Sequence, residues 1–293
     1  MKKLDYKFKA LWTICEISII WDKSSRYNSL INTCYKMIFD FENDFSRFKK
    51  DSMLSILNTK KKHKVNGDFL NLIYISKEIY NLTNWYFNPL INLENIWYVN
   101  SFSDNKFEIK FVSEDLSFED IVYYWDVIEL KNDMNLDFGS IAKGYLADRV
   151  SKYLKNHKIK NFLVNMWWDI YASWVNHNNN KWIVWIPSPF DAKKNILALE
   201  ISNKSISTSW TYIRNWSIGD KKYTHIKNPN WELKNDLISV SIIDEKWYFT
   251  DSIATALIAM WYQKALDFCN KNKINYVFIL SNWDIREYLW FYF

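Results

Sequence analysis

The sequence predicts an α+β fold, a single continuous domain in which a mixed sheet is flanked by helices. Three observations predict it. Apolar residues at helical spacing gather in the first third of the chain, β-like runs dominate from Phe107 to Ile243, and nothing divides the 293 residues, since there is neither an internal repeat nor a Pro/Ser-rich linker. A chain of this length is long enough to bury a substantial core.

The elements follow in order. Lys9 to Ile20 is rich in β-formers and reads as the first strand, which leaves residues 1–9 as an N-terminal lead and 10–293 as the domain. From Ser29 to Phe48, residues Leu30, Cys34, Met37, Phe41, Phe45 and Phe48 recur every three or four positions, the mark of an amphipathic helix. Asp51 to Asn58 reads as a short capped helix and Asp68 to about Leu82 as another. KFEIKFV and IVYYWDVIEL are β-like, the second folding back at Trp125-Asp126 as a hairpin. Met134, Leu136 and Phe138 alternate as in a strand, and Ile141 to Tyr153 has helical spacing, so DFGSIAKGYLADR (Asp137–Arg149) is a strand, a glycine turn and a helix. Such a turn exposes backbone N–H groups that favour anions, although a tight strand-to-helix turn needs glycine on its own account. Asn161 to Met166, Trp182 to Ile186, Ile196 to Ile201, Tyr212 to Ser217, Tyr223 to Ile226 and Leu237 to Ile243 are predicted strands. Asp251 to Trp261 and Lys264 to Asn270 are predicted helices, and Asn275 to Leu280 is the closing strand.

Composition excludes several classes. With 38 basic and 33 acidic side chains the net charge is only +5, too mild for a nucleic-acid partner, and the basic run Lys60 to Lys64 lacks interleaved aromatics. Cys15, Cys34 and Cys269 have neither disulfide-framework nor zinc-ligand spacing and are expected to be buried thiols. Asp5, Lys7 and Lys9 interrupt the N-terminus before an apolar run develops, so no signal peptide, lipidation cysteine or membrane span is expected, and the expected location is the cytoplasm.

One ratio is abnormal. There are 17 Trp against 4 Gly, whereas glycine ordinarily makes up about 7% of a globular chain. Restoring the tryptophans to the glycine count would recover that share, which raises the hypothesis that UGA codons meant as glycine are being read as tryptophan. Trp125, Trp167, Trp168 and Trp231 all sit in turn contexts that favour glycine. The competing reading is a truly tryptophan-rich protein.

Candidate chemistry falls at three places. Asp251 and Thr255, four residues apart, present oxygens on one helix face and suit a hard cation such as Mg²⁺; a carboxylate early in a helix also serves simply to offset the helix dipole. Ser205 to Trp210 (SISTSW) offers hydroxyls able to bind phosphate, with Arg214 as an added charge, and reads equally as a strand-edge turn. His225, in YTHIKNP, has the most distinctive setting of the four histidines, and that setting favours neither a catalytic nor a structural role.

Together these pieces resemble the FAD:protein FMN transferase (ApbE-type) family from about Ala10 onward. LWT (Leu11–Thr13) is similar to the family's MGT, FSRFKKDSMLSILN (Phe45–Asn58) to FSxfxpdSelsrlN, and NWYFNP (Asn84–Pro89) to GafDp. DFGSIAKGYLADR is similar to DLGgiAKGyavDr, NMWWD to nlGGD, STSWTYIR to aTSGdYeR, YTHIKNPNW to ysHIiDPrtG, and TDSIATALIAMW to aDalaTalfvlG. In this alignment Trp12, Trp85, Trp167, Trp168, Trp210, Trp231 and Trp261 fall on family glycines.

The resemblance implies a single ApbE-like domain of the T-fold type. It implies Mg²⁺-dependent transfer of FMN from FAD to a Thr or Ser hydroxyl of a target flavoprotein, with AMP released. The alternatives are FAD hydrolysis to FMN and AMP, non-catalytic FAD binding, or, for literal tryptophans on an exposed face, a carbohydrate-binding module. It assigns Mg²⁺ to Asp251, Thr255 and the main-chain carbonyl of Ala142, and catalysis to His225 and Asp251. It places FAD against Leu11, Phe48, Tyr86, Phe87, Asn88, Gly139, Lys143, Tyr145 and Ile226, with Thr208 and Ser209 at the phosphates. Ser140 replaces a common family glycine, while Asn88 and Asn228 replace family aspartates and each remove a charge.

Overall fold

The computed structural model describes residues 2–11, 13–21, 27–90, 117–131, 134–191, 193–212, 215–218, 221–224, 226 and 236–289. The chain opens with β1 (Lys2–Ala10), β2 (Thr13–Trp21), α1 (Tyr27–Phe45), α2 (Met53–Lys60), β3 (Lys62–Lys64) and α3 (Gly67–Leu82). A hairpin of β4 (Val122–Tyr124) and β5 (Val127–Glu129) precedes α4 (Ala142–Asn156), β6 (Phe162–Met166) and β7 (Asp169–Ser173). Next come β8 (Trp182–Pro187), β9 (Asn195–Ile201), β10 (Lys204–Trp210), β11 (Asn215–Ile218), β12 (Lys221–Thr224) and β13 (Leu237–Asp244). The last elements are α5 (Trp247–Met260), α6 (Tyr262–Asn272), β14 (Asn275–Leu280) and β15 (Ile285–Tyr288).

Eight strands form the main sheet in the order β1-β2-β6-β7-β10-β13-β14-β15, and each of its ladders is antiparallel. Both faces are covered, as the two-residue alternation of the strands shows. Ile17, Ile19, Val240, Ile242, Tyr276 and Phe278 join the core under the helices, while Ile20, Ile206, Ile243, Val277 and Ile279 pack with the β8–β9 hairpin on the other face. The predicted α+β class and a sheet packed against helices are therefore what the chain adopts, while the strand directions expected to be mixed are antiparallel in every described ladder. Cys15, Cys34 and Cys269 are free and buried, as expected.

The helices follow their apolar stripes. Leu30, Ile31, Cys34, Ile38, Phe41 and Phe45 are the buried face of α1. Ser52 caps α2 by accepting the Ser55 N–H at 3.0 Å, and Asn66 caps α3 through the Phe69 N–H at 3.0 Å. The hairpin turn at Trp125-Asp126 stands where the sequence placed it. KFEIKFV lies outside the described residues.

Four expectations change. Residues 2–9, set apart as a lead, belong with Ala10 to β1, which pairs residue for residue with β2 and forms the sheet edge, so the single strand expected from Lys9 to Ile20 is two. Residues 134–138 have the alternating burial of a strand but join no ladder. Leu136 instead exchanges two hydrogen bonds with the side-chain amide of Asn58, at 2.8 and 2.9 Å, and Asp137 N–H donates to Pro89 O at 2.8 Å. An asparagine edge substitutes for a strand edge, which alternation alone does not reveal. SISTSW, read as a turn, is most of the central strand β10. β7 was not foreseen at all, because its short run DIYAS carries an aspartate first.

Candidate functional site

The site is built where the start of α4, the middle of α5 and strands β7 and β10 converge. Asp137 accepts the Gly139 N–H at 2.7 Å on one oxygen and receives Arg47 at 2.5 Å on the other, which fixes the turn into α4. Ala142 N–H donates to Phe138 O at 2.8 Å, so the helix starts tightly after the turn. Lys143 and Gly144 then face α5. Gly144 N–H donates to Asp251 Oδ2 at 3.0 Å, and Lys143 Nζ lies 3.4 Å from Asp251 Oδ1 while also bonding Asp169 Oδ2.

Asp148, one turn further along α4, accepts the N–H groups of Trp247 and Tyr248 at 3.1 and 3.0 Å. It caps α5 from outside, since Lys246 at the cap position makes no side-chain cap bond. Asp251 thus lies in the second turn of α5 rather than at its beginning, so offsetting the helix dipole is not its role.

Strand β10 faces α5 through its serines. Ser207 Oγ is 2.8 Å from Thr250 Oγ1, and Ser209 Oγ is 3.1 Å from Thr255 Oγ1. Thr255 Oγ1 also donates to Asp251 O at 3.2 Å. Thr208 points to the opposite face, 2.8 Å from Ser241 Oγ. The hydroxyls that looked like one cluster in the sequence are split by strand alternation.

The result is two buried carboxylates about one ammonium. Side-chain exposure is 3% for Asp169, 5% for Asp251 and 30% for Lys143. Burial, reinforced by the charge of Asp251 and opposed by Lys143, pushes the Asp169 carboxyl up to about 7. Burial works against the charge of Lys143, but Asp169 and Asp251 outweigh it and hold the ammonium above the ordinary lysine range. Burial also lifts Asp148 to about 6 against the pull of its two backbone donors. Asp169 is the site residue that sequence reasoning missed. Its position in NMWWD, next to two anomalous tryptophans, was the available signal.

The structure therefore brings together Lys143, Asp251, Thr255 and Ser209, with Ala142 directly before Lys143 at the start of α4. The other expected residues have their own local partners. Tyr145 turns to α3, its hydroxyl 2.9 Å from Asp68 Oδ1 and 3.3 Å from Asn71 Nδ2, and burial raises it to about 12. The Phe87 ring is 1% exposed and belongs to the core, so it offers no face to a ligand. Asn88 accepts the Leu90 N–H at 2.9 Å within its own turn. Tyr86 receives Lys264 at 2.8 Å on its hydroxyl. Phe48 is exposed beneath the Arg47 guanidinium at 4.7 Å, Leu11 N–H donates to Glu42 Oε2 at 2.9 Å, and Ile226 packs partly buried on the main core. His225, Arg214, Trp12 and Trp231 lie outside the described residues.

Fold and cluster define an α+β protein with a lysine held between two buried aspartates where two helices cross beneath an antiparallel sheet. The chain belongs to the ApbE family, whose family model matches residues 11–278. It is similar to the FAD:protein FMN transferase of Klebsiella pneumoniae (strain 342), 33% identical over 156 residues, which span 52% of this chain and 48% of that protein. That alignment thus spans about half the length of the relative. The FAD:protein FMN transferase of Buchnera aphidicola subsp. Schizaphis graminum is 26% identical over 90% of this chain and 82% of its own. Among solved structures, the flavin transferase ApbE of Vibrio cholerae superposes with a TM-score of 0.82 at 20% identity, covering 98% of this chain and 96% of that one. The apo flavinyl transferase ApbE of Pseudomonas stutzeri gives 0.84 at 18% identity, covering 98% and 94%.

Proposed function

We propose that this chain transfers FMN from FAD to a Thr or Ser hydroxyl of a target flavoprotein, releasing AMP, with Mg²⁺ as the required cation. The observation that carries the reading is the convergence of Lys143, Asp251, Thr255 and Ser209, drawn from separate family motifs, onto one cluster. Relatives with the printed name FAD:protein FMN transferase support it.

The donor set fits Mg²⁺. Asp251 and Thr255 offer hard oxygens one helical turn apart, and two carboxylates facing one ammonium leave a formal negative charge unmatched. Among the described residues no group of three or more His, Cys, Asp or Glu could hold a metal. Mg²⁺ takes one or two protein carboxylates and completes its shell with water and substrate phosphate, so Asp251 with Thr255 is a sufficient protein share. Asp251, Thr255 and the Ala142 carbonyl would hold it. When bound, the ion would neutralise pyrophosphate charge and stabilise the departing AMP.

The chain's own residues do the rest. Lys143 adds positive charge beside the pyrophosphate. His225 takes the proton of the acceptor hydroxyl as that oxygen attacks the FMN phosphorus; the bond from phosphorus to the bridging oxygen breaks, and AMP leaves with that oxygen.

Incubating the protein with FAD, Mg²⁺ and a co-expressed target, then following AMP by chromatography and flavin on the target by mass, tests the proposal. His225→Ala and Asp251→Ala should each abolish target flavinylation, and retained activity in both would overturn the assignment. AMP and FMN formed without any protein acceptor would point to hydrolysis, and intact FAD to binding alone.

A further inference from the structure

Among the described residues, thirteen other than glycine have φ in the left-handed region, and six of them are tryptophans: Trp85 (71°), Trp125 (58°), Trp167 (67°), Trp174 (52°), Trp261 (68°) and Trp283 (75°). None of the described glycines, Gly67, Gly139 and Gly144, adopts it. This inverts the normal preference, because a Cβ clashes there and a bulky side chain is a genuine outlier.

The turns themselves ask for glycine. Trp125 and Trp167 are each the first of two loop residues, between paired Tyr124 and Val127 and between paired Met166 and Asp169. Positive φ at the first position only is the II′ hairpin pattern, where glycine stands first. Trp283 N–H donates to Leu280 O at 3.0 Å and Leu280 N–H to Asp284 O at 2.9 Å, so Trp283 is the last residue of a three-residue loop, again the glycine position. Trp261, with φ 68° and ψ 168°, lies in a region open essentially to glycine alone.

Hydrogen bonding marks other tryptophans, outside the six positions with positive φ. Buried tryptophan N–H groups normally find partners. Yet Trp21, Trp168 and Trp247 have buried indole N–H groups without a hydrogen-bond partner. Trp182 shows the contrast: it has no positive φ, its Nε1 donates to Ser173 O at 3.0 Å, and its ring fills the core under the β8–β9 hairpin.

We propose that the native polypeptide carries glycine at positions 85, 125, 167, 174, 261 and 283, written as UGA in its gene and read as glycine by its own translation apparatus, and tryptophan at 182. At the candidate site, and resting there on the proposed function, the change takes away the Trp167 indole. That ring packs edge-on at 5.6 Å against Trp210, which follows Ser209, while the 167–168 turn leads into Asp169. A glycine turn leaves the backbone beside the Lys143–Asp169 pair open to a phosphorylated ligand.

Tandem mass spectrometry of peptides from the protein purified from its own cells decides the assignment. Glycine is expected at the six positions and tryptophan at 182; tryptophan at the six overturns the proposal. A second measurement needs no native source. The recombinant chain with all six Trp→Gly changes should melt at a higher temperature than the all-tryptophan chain, and Trp182→Gly at a lower one. A lower melting temperature for the six-fold variant also overturns the proposal. A variant that melts higher yet fails to transfer FMN counts against the proposed function alone.

Discussion

Gly144→Ala tests whether the site depends on how closely α4 and α5 approach. A Cβ at this position would lie 2.6 Å from Trp247 O, 2.8 Å from Tyr248 Cα and 2.9 Å from Asp251 Cβ. Two of these are backbone atoms, which cannot rotate aside, so the helices must part by about 0.8 Å to restore ordinary contact. Overpacking of this kind costs about 3 kcal/mol, and alanine's better helix propensity returns about 1 kcal/mol. The net loss of about 2 kcal/mol corresponds to a fall in Tm of about 3 °C for a chain of 293 residues. Thermal and urea unfolding of the two proteins would measure it. Because Gly144 N–H also donates to Asp251 Oδ2, the FMN transfer proposed for this chain should drop even well below the melting temperature. An unchanged or raised Tm would refute the tight crossing, since propensity would then be the larger effect.

Two further predictions follow from the buried charges. Asp148 has its folded pKa raised from 3.8 to about 6 by burial, so the folded state binds the extra proton between those values, and the contribution to stability is greatest below about pH 4 and is lost as pH rises toward 6. The stability of the wild type relative to Asp148→Asn should therefore fall by as much as about 3 kcal/mol from pH 4 to pH 7 in urea titrations; a difference that grows with pH would reverse the assigned direction. Lys143→Met should destabilise by about 3–5 kcal/mol, because it leaves Asp169 and Asp251 facing each other unpaired, whereas Asp169→Asn should cost clearly less. Equal losses in chemical denaturation would mean that the lysine is not the charge holding the cluster.

Much of the fold was legible because local pattern and burial agree. The apolar stripe from Leu30 to Phe45, the hairpin at Trp125-Asp126 and the strand Asn275–Leu280 needed only periodicity. What was hidden depended on partners distant in sequence. Residues 134–138 look like a strand because their side chains alternate, and only Asn58 shows where the backbone bonds go. Lys2–Ala10 alternates lysine with half-buried residues, as an exposed edge strand does, and without β2 beside it that pattern reads as a polar lead. At the site, Asp251 and Thr255 could be paired from their spacing. Asp169 could not, because its only link to Lys143 is a contact across 26 residues. Thr208 and Ser209 went the other way: neighbours in sequence, they belong to opposite faces once β10 is a central strand.

The cluster itself argues for a ligand. A fold seeking stability alone gains little from burying an ammonium with two carboxylates, since well-packed apolar side chains of similar volume serve as well or better. Here Asp169 and Asp251 are almost fully buried, their charges exceed that of Lys143, and Asp169 is pushed up to about 7 by burial. Such an arrangement is costly in the free protein and is relieved by whatever brings positive charge to it. Under the proposed function that charge is Mg²⁺, with the FAD pyrophosphate completing its shell, and binding then stabilises the folded state by mass action. Thermal unfolding with Mg²⁺ and FAD together should therefore shift upward by more than the sum of the two separate shifts. In Asp251→Ala the excess should vanish. Simple addition in the wild type would mean that the cation and the nucleotide do not meet at this cluster.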